Sequence, residues 1–371
     1  MPDTREDTGV LRTRRIAILV PGLPPTYGGG TEIATVEIAR CATALGHDVH
    51  VVALDGTSRG GKAYKLVRNG FAVHRIRSIQ LPYLYGLAAL PHVVITTMLL
   101  KPDIIHAQGI AMAPAAYIAA KVGRTPFILY GRGEIYLDWA LKRFSHKAFL
   151  RRADRVIAQT DNMRQEMLNY CDGPIEVIPN GINAERFGGM PKQAARWRLG
   201  MPQNKNVVVS VGRFRPEKNL RGFIDAAALD TSCTTEYLMI GDGPQLSELK
   251  NYALKYEHVK FTGAVPNTEI PLYLCAADVL VNTSHSEGFP VSILEAMASG
   301  LPVVAPRICG VPEIVDDGVN GVLTIPGDST STYLAVEWLL HNRDATEIMS
   351  GNNRRKARLY TWENVVRKLY G

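Results

Sequence analysis

Short apolar runs alternate with helical patterns along this chain, and the alternation runs twice. Arg15–Val20 is a short apolar run, followed by a glycine-rich loop and a helical stretch from Thr31, its N-cap, to about Leu45, which Gly46 ends. His50–Leu54 comes next, and later runs end near Ile105, Tyr130, Ala158 and Ile178. The rhythm restarts at Asn206–Val211. It continues through a helix over Leu220–Leu229, then Tyr237–Ile240, a helix over Gln245–Tyr256, and Val259–Phe261, Val279–Asn282, Pro302–Ala305 and Gly321–Thr324. Strands this short and apolar, separated by helices, belong in a parallel sheet covered on both faces. The expected fold class is α/β, with two Rossmann-like domains facing across a cleft. In such sheets ligands gather at the carboxyl ends of the strands. Between the two series, Asn183–Lys205 is rich in Gly, Pro and charge and has no long apolar run, which marks a domain boundary. A length of 371 residues suits two domains.

Composition narrows the partners. Lys and Arg number 42 against 35 Asp and Glu, a formal charge of +7. That excess suits anionic small molecules or an acidic membrane surface. No Lys/Arg-rich run carries interleaved aromatics, so nucleic acid is not indicated. The five cysteines, Cys41, Cys171, Cys233, Cys275 and Cys309, are odd in number and form no CxxC pair. Neither a disulfide framework nor a zinc site is expected, and a reducing cytoplasm is the simplest home. Met1–Arg14 is polar, carries both charge signs and lacks the apolar core of a signal peptide, as a loose tail would. Leu81–Leu100 carries no Asp, Glu, Lys or Arg and has about the length of a membrane span. Its Pro82, Pro91, His92, Thr96 and Thr97 favour a buried or interface helix kinked near Pro91 instead.

Four stretches carry chemistry. Gly28, Gly29 and Gly30 follow the first strand and open a helix. Without side-chain bulk, their backbone N–H groups can approach a phosphate or sugar at the positive helix end. A plain tight turn is the alternative. Arg213, Arg215 and Lys218 follow the strand Asn206–Val211 and precede a helix, where two fixed cations can neutralise a diphosphate. Gly241 and Gly243 form a strand-terminal turn that permits close backbone approach, here to a nucleobase. The stretch Glu287, Gly288, Phe289, Pro290 and Val291 leads into a helix with Pro290 in its first turn and Gly300 at its far end. The backbone N–H groups of Glu287–Phe289 are then free to donate to sugar hydroxyls or phosphate. Glu295, about one turn inside, would be costly in an Ala/Met/Leu-rich helix without a partner. It either accepts from a ribose diol or pairs with Arg or Lys. A near P-loop over Gly56–Ala63 fails, because Ala63 has no hydroxyl for magnesium, and it reads as a surface loop.

Taken in order, these residues resemble the retaining family 4 glycosyltransferases, with the GT-B fold. The resemblance runs from Arg15 to the C-terminus. It rests on Gly28–Glu32, Pro102-Asp103-Ile104-Ile105-His106, Val177–Gly181, Gly212-Arg213 with Lys218-Asn219, Gly241–Pro244, and the pair Glu287-x7-Glu295. It implies a tail over 1–14, an acceptor domain over 15–185 and a nucleotide-sugar donor domain over 186–357. A terminal helix starting at Thr361-Trp362-Glu363, within 358–371, would pack back onto the first domain. By the same resemblance Arg213 and Lys218 bind the donor diphosphate and stabilise it as leaving group, and Glu295 holds the ribose. Glu287, with the Gly288–Phe289 backbone, faces the transferred sugar, and Gly28–Gly30 flank the diphosphate. No metal or other cofactor is needed, because the cations replace it. Donor binding would close the domains, with hinges near Asn183–Gly189 and Tyr360. Many family members carry a His after the strand that here reads Phe127–Tyr130. This chain has Gly131-Arg132-Gly133 instead, so Arg132, and less directly His106, are candidates for sugar or acceptor contact.

The expected activity is transfer of a sugar from a nucleotide-diphosphate donor to an alcohol acceptor, be it glycan, lipid-linked or small molecule. The alternatives are a nucleotide-sugar epimerase or hydrolase of the same fold, or a non-catalytic partner subunit. Leu137–Arg155, with Lys142, Arg143, Lys147, Arg151, Arg152 and Arg155 among apolar residues, reads either as an ordinary solvated helix or as a weak contact to an anionic membrane. The latter would make the enzyme peripheral at the inner face.

Overall fold

The apolar runs become two separate sheets. A computed structural model describes residues 12–23, 30–55, 64–68, 70–77, 89–132 and 148–371. Its chain divides into two compact units, Met1–Pro179 with Trp362–Gly371, and Asn180–Thr361. The break falls six residues before the expected one at 185/186, just after the strand Ile175–Val177.

In the first unit the strands are β1 (Arg15–Val20), β2 (Asp48–Asp55), β3 (Tyr64–Arg68), β4 (Phe71–Arg77), β5 (Ile104–Gln108), β6 (Phe127–Tyr130), β7 (Arg155–Ala158) and β8 (Ile175–Val177). Their spatial order is β3-β4-β2-β1-β5-β6-β7-β8. Ile16 lies opposite Val49 on one side and Ile104 on the other, both in parallel register. Among the described residues only β3 runs antiparallel, against β4. The helix Gly30–Ala44 puts Ala34, Ile38, Ala39 and Ala42 against Ile18 and Val51 on one face. The other face packs Leu19, Val52 and Ala107 under Ala115, Ala116 and Ala119.

The second unit has β9 (Asn206–Val211), β10 (Thr235–Ile240), β11 (Val259–Gly263), β12 (Val279–Val281), β13 (Val303–Pro306) and β14 (Gly321–Thr324), ordered β11-β10-β9-β12-β13-β14 and parallel throughout. That is the doubly wound order, whose direction reverses between β9 and β12. Loops leaving two strands at such a reversal diverge, and the crevice between them is the natural ligand position. Val209, Leu280, Val303 and Ile293 fill the core on one face, and Val208, Phe223 and Met239 fill it on the other.

Three expectations change. Pro91 sits in the first turn of the helix Leu90–Leu99 and starts it rather than kinking it, because a proline there removes an N–H that would have been unpaired anyway. Gly30 is already helical, so Thr31 lies inside the helix and is not its cap. The boundary stretch Asn183–Lys205 contains the helix Lys192–Leu199, held by Arg196 to Asp278 at 2.5 Å and to the Ala276 carbonyl at 2.9 Å. The near P-loop, residues 78–88 and most of the basic stretch 137–155 lie outside the described residues. Among the described residues no helix is long and apolar enough to cross a membrane.

Candidate active site

The loops after β9 and β12 are stitched together at the reversal point of the second sheet. After β9 the chain passes through Gly212–Arg215, a single 3-10 turn at Pro216–Lys218, and Asn219, whose φ of +44° turns it into the helix Leu220–Ala227. After β12 it passes through Asn282–Pro290 into the helix Val291–Ser299. His285 donates its N–H to the Glu217 carbonyl at 2.8 Å, and the Thr283 hydroxyl donates to the Asn219 carbonyl at 2.9 Å. Between these ties the Lys218 ammonium donates to both oxygens of Glu287, at 2.7 and 2.8 Å. Glu287 is buried, and its Oε1 also accepts from the Ser284 hydroxyl at 2.6 Å and from Asn282 Nδ2 at 3.0 Å. Three donor side chains around one carboxylate lock its position.

Arg213 stands on the same loop as Lys218 with its side chain exposed, and no ion pair engages it among the described residues. The backbone beneath it is held by the neighbouring turn. Phe214 donates its N–H to the Asp242 carbonyl at 2.9 Å, and Gln245 donates to the Phe214 carbonyl at 3.1 Å. Gly241 and Gly243 have a structural reason to be glycine. A Cβ on Gly241, at φ +140°, would stand 1.9 Å from the Gly212 carbonyl oxygen, and one on Gly243 would stand 2.5 Å from that of Phe214. The close approach these glycines permit is to the cation-bearing loop itself.

Pro290 is the residue preceding the helix, Val291 its first member, and Gly300 ends it at φ +80°. Phe289 is buried 6.0 Å from the Tyr360 ring, and Gly288 is half-buried beside Glu287. Glu295 is half-buried one turn inside the helix. Burial pushes its carboxyl up to about 7, opposed by the positive field of Arg186. Arg186 is the partial counter-charge to a carboxylate at this position.

The remaining candidates belong to the first unit. Gly30 opens its helix, and Gly28 and Gly29 lie outside the described residues. Arg132 follows the carboxyl end of β6 and is buried. Its guanidinium lies 4.1 Å from the centre of the Tyr130 ring and donates to Gln108 Oε1 on the adjacent strand. His106 is a core residue. It is 0% exposed, its Nδ1 lies 2.6 Å from the Tyr370 hydroxyl, and its ring stacks on Tyr130 at 5.7 Å. Burial, with Arg132 and Arg155 adding, pushes its pKa down to about 3, so it stays neutral in the fold.

Sequence reasoning overlooked Asn282 and Ser284 as the other holders of Glu287. The available signal was that they are the first polar residues after the apolar run of β12. Arg186 was also missed, because its approach to Glu295 is tertiary. Among the described residues no group of three or more His, Cys, Asp or Glu is placed to hold a metal.

The comparisons agree with this layout. The family described as Glycosyltransferase Family 4 matches residues 28–186, and the one described as Glycosyl transferases group 1 matches residues 191–356. A sulfoquinovosyl transferase of Arabidopsis thaliana is 29% identical over 96% of this chain and 73% of its own length. A sucrose-phosphate synthase from Thermosynechococcus elongatus superposes with a TM-score of 0.83 at 20% identity, covering 96% of this chain and 97% of its own. The Anabaena protein HepE, solved in complex with UDP and glucose, superposes at 0.81 with 22% identity, covering 96% and 98%. Two consecutive family matches, one on each α/β unit, make this chain a glycosyltransferase of the GT-B fold, with a family 4 first domain and a group 1 second domain.

Proposed function

We propose that the enzyme moves a glycosyl group from a nucleoside-diphosphate sugar to the hydroxyl of an alcohol acceptor, with retention of anomeric configuration and without a metal. The observation that carries this reading is the loop after β9, which presents exposed Arg213 and Glu287-held Lys218 at the reversal point of the second sheet. As the bond from the anomeric carbon to the phosphate oxygen stretches, negative charge grows on that oxygen. Cations fixed in place stabilise the developing charge more than the ground state, which lowers the barrier. Glu295, one turn inside the helix Val291–Ser299, accepts from the ribose hydroxyls. Arg132 remains the first unit's own candidate for an anionic acceptor.

Glu287 is a poor nucleophile for a double displacement. Its carboxylate already accepts from Lys218, Ser284 and Asn282, and each hydrogen bond must weaken before its oxygen attacks carbon. Attack by the acceptor oxygen on the face the phosphate leaves is the consistent alternative. The new carbon–oxygen bond forms as the old one breaks, and the acceptor proton passes to the departing phosphate. That HepE was solved with UDP and glucose supports the donor class without naming the base or sugar used here.

A thermal-shift panel of nucleoside diphosphates and nucleotide sugars tests the donor site, since a ligand at 100 times its Kd stabilises by ~2.7 kcal/mol. Arg213→Ala is expected to lose that response while keeping its own melting temperature. Product linkage, read by NMR from the anomeric proton, tests retention. Conversion of the nucleotide sugar without acceptor would establish an epimerase or hydrolase instead, and no nucleotide response at all would leave only a non-catalytic subunit.

A further inference from the structure

The helices Leu90–Leu99 and Ala113–Gly123 of the first unit cover the same face of the sheet and pack on each other. Their inner sides are apolar as expected, with Val93, Val94, Ala116 and Ala119 in the core. Their outer sides are apolar too. Leu99 is 77% exposed, Val122 60% and Ile95 56%, and Met98 and Ile118 are also exposed. Ile95 and Leu99 are four residues apart, as are Ile118 and Val122, so each helix carries a ridge along its outer face. The ends of the two ridges are neighbours, because the Thr125 hydroxyl donates to the Pro102 carbonyl at 3.3 Å just beyond them. Soluble chains scatter single exposed apolar side chains, but a patch shared by two adjacent helices marks an interaction surface.

Charge selects the occupant. Lys101 follows the first helix and Arg124 the second, both exposed, and Lys121 lies beside Val122. The Lys121 ammonium and the Arg152 guanidinium both lie over the Tyr117 ring, at 5.9 and 5.6 Å, on the same helix as Ile118 and Val122. Arg15 donates to the Leu100 carbonyl at the same end. The nearby carboxylates are engaged: Asp48 with Arg15 at 2.6 Å, Asp172 with Arg151 at 2.7 Å, and Asp103 with the Arg15 backbone N–H at 2.7 Å. An apolar ridge edged by cations matches the interface of an anionic bilayer, where acyl chains take the ridge and headgroups take the cations.

We infer that the ridge formed by Ile95, Met98, Leu99, Ile118 and Val122, edged by Lys101, Lys121, Arg124 and Arg152, docks this enzyme on an anionic lipid surface. The inference is independent of the transfer reaction, since it needs neither donor nor acceptor.

Flotation of the full chain with vesicles tests it, comparing phosphatidylcholine alone with phosphatidylcholine containing phosphatidylglycerol. The full chain is expected to float with the anionic vesicles, less at high salt, and only weakly with the neutral ones. Lys121→Glu with Arg124→Glu should lower anionic binding at least about tenfold, several-fold per cation. Leu99→Gln with Val122→Gln should lower it by a similar factor while leaving the melting temperature and nucleotide response intact, which separates docking from folding and from the donor site. Absence of flotation, or flotation unchanged in both variants, would overturn the inference. So would a wild-type dimer that Leu99→Gln with Val122→Gln converts to a monomer without changing lipid binding, because a second copy would then be the occupant.

Discussion

Glu295 shows how burying one carboxyl in an apolar helix costs stability. Its pKa in the fold is about 7 against an ordinary 4.5, so between these values the native state holds a proton that the unfolded chain has lost. Stability therefore falls as pH rises through that window. Glu295→Gln should gain stability relative to the parent at about pH 8 and gain none near pH 4, read by urea denaturation at each pH. Nucleotide affinity should move the other way. In the parent it weakens as pH falls below about 7, because a protonated carboxyl is a poorer acceptor for a ribose diol, and in the variant that dependence disappears. A parent enzyme whose affinity is flat from pH 5 to 8 would remove Glu295 from the ribose site. Glu295 could be picked from sequence because a charged residue in an apolar helix demands an explanation. Its counter-charge Arg186 could not, since over a hundred residues separate them and only the packing of the second unit makes them neighbours.

At the scale of elements, the site is made by loops held against loops. The turn Gly241–Pro244 supports the backbone under Arg213, and the loop after β12 holds Lys218 through Glu287. Gly241→Ala would drive a Cβ into the Gly212 carbonyl at a backbone angle L-residues avoid, so the cation loop has to move. Calorimetry with a nucleoside diphosphate should show affinity reduced more than tenfold together with a lower melting temperature. Parent-like affinity would mean that the turn does not position the loop. The strands that frame these loops were legible as apolar runs, and β14 (Gly321–Thr324) has the span expected of it. The β3–β4 hairpin was not legible, because Tyr64–Arg68 alternates with Lys and Arg and lacks a strong apolar signal. The reading of the two glycines as ligand-facing also needed three dimensions, since a turn sequence does not reveal which backbone it lies against.

For the whole molecule, chain order and spatial order part company at the C-terminus. The helix Trp362–Tyr370 follows the second unit in sequence but builds the first, placing Trp362, Val365, Val366 and Leu369 beside Ile18, Ile38 and Val51. Arg155 donates to the Leu369 and Lys368 carbonyls at 2.7 and 2.9 Å, satisfying the end of that helix. Leu369→Ala is expected to cost ~2–5 kcal/mol. Hydrogen exchange should locate that loss in residues 15–178 and leave 206–324 as protected as before. Loosening spread equally over both would contradict separate cores.

The amino-acid sequence alone determined the alternating α/β pattern, the doubling of that pattern and the positions of the cationic and acidic loop residues, because apolar periodicity and strand-end polarity are local properties. Tertiary structure decided which loops meet. It paired Lys218 with Glu287 across the reversal between β9 and β12, sank His106 beneath Tyr370, and left Leu99 and Val122 facing outward. Each of these depends on strand order and helix placement, which arise from packing over long sequence separations and leave no trace in any short stretch of residues.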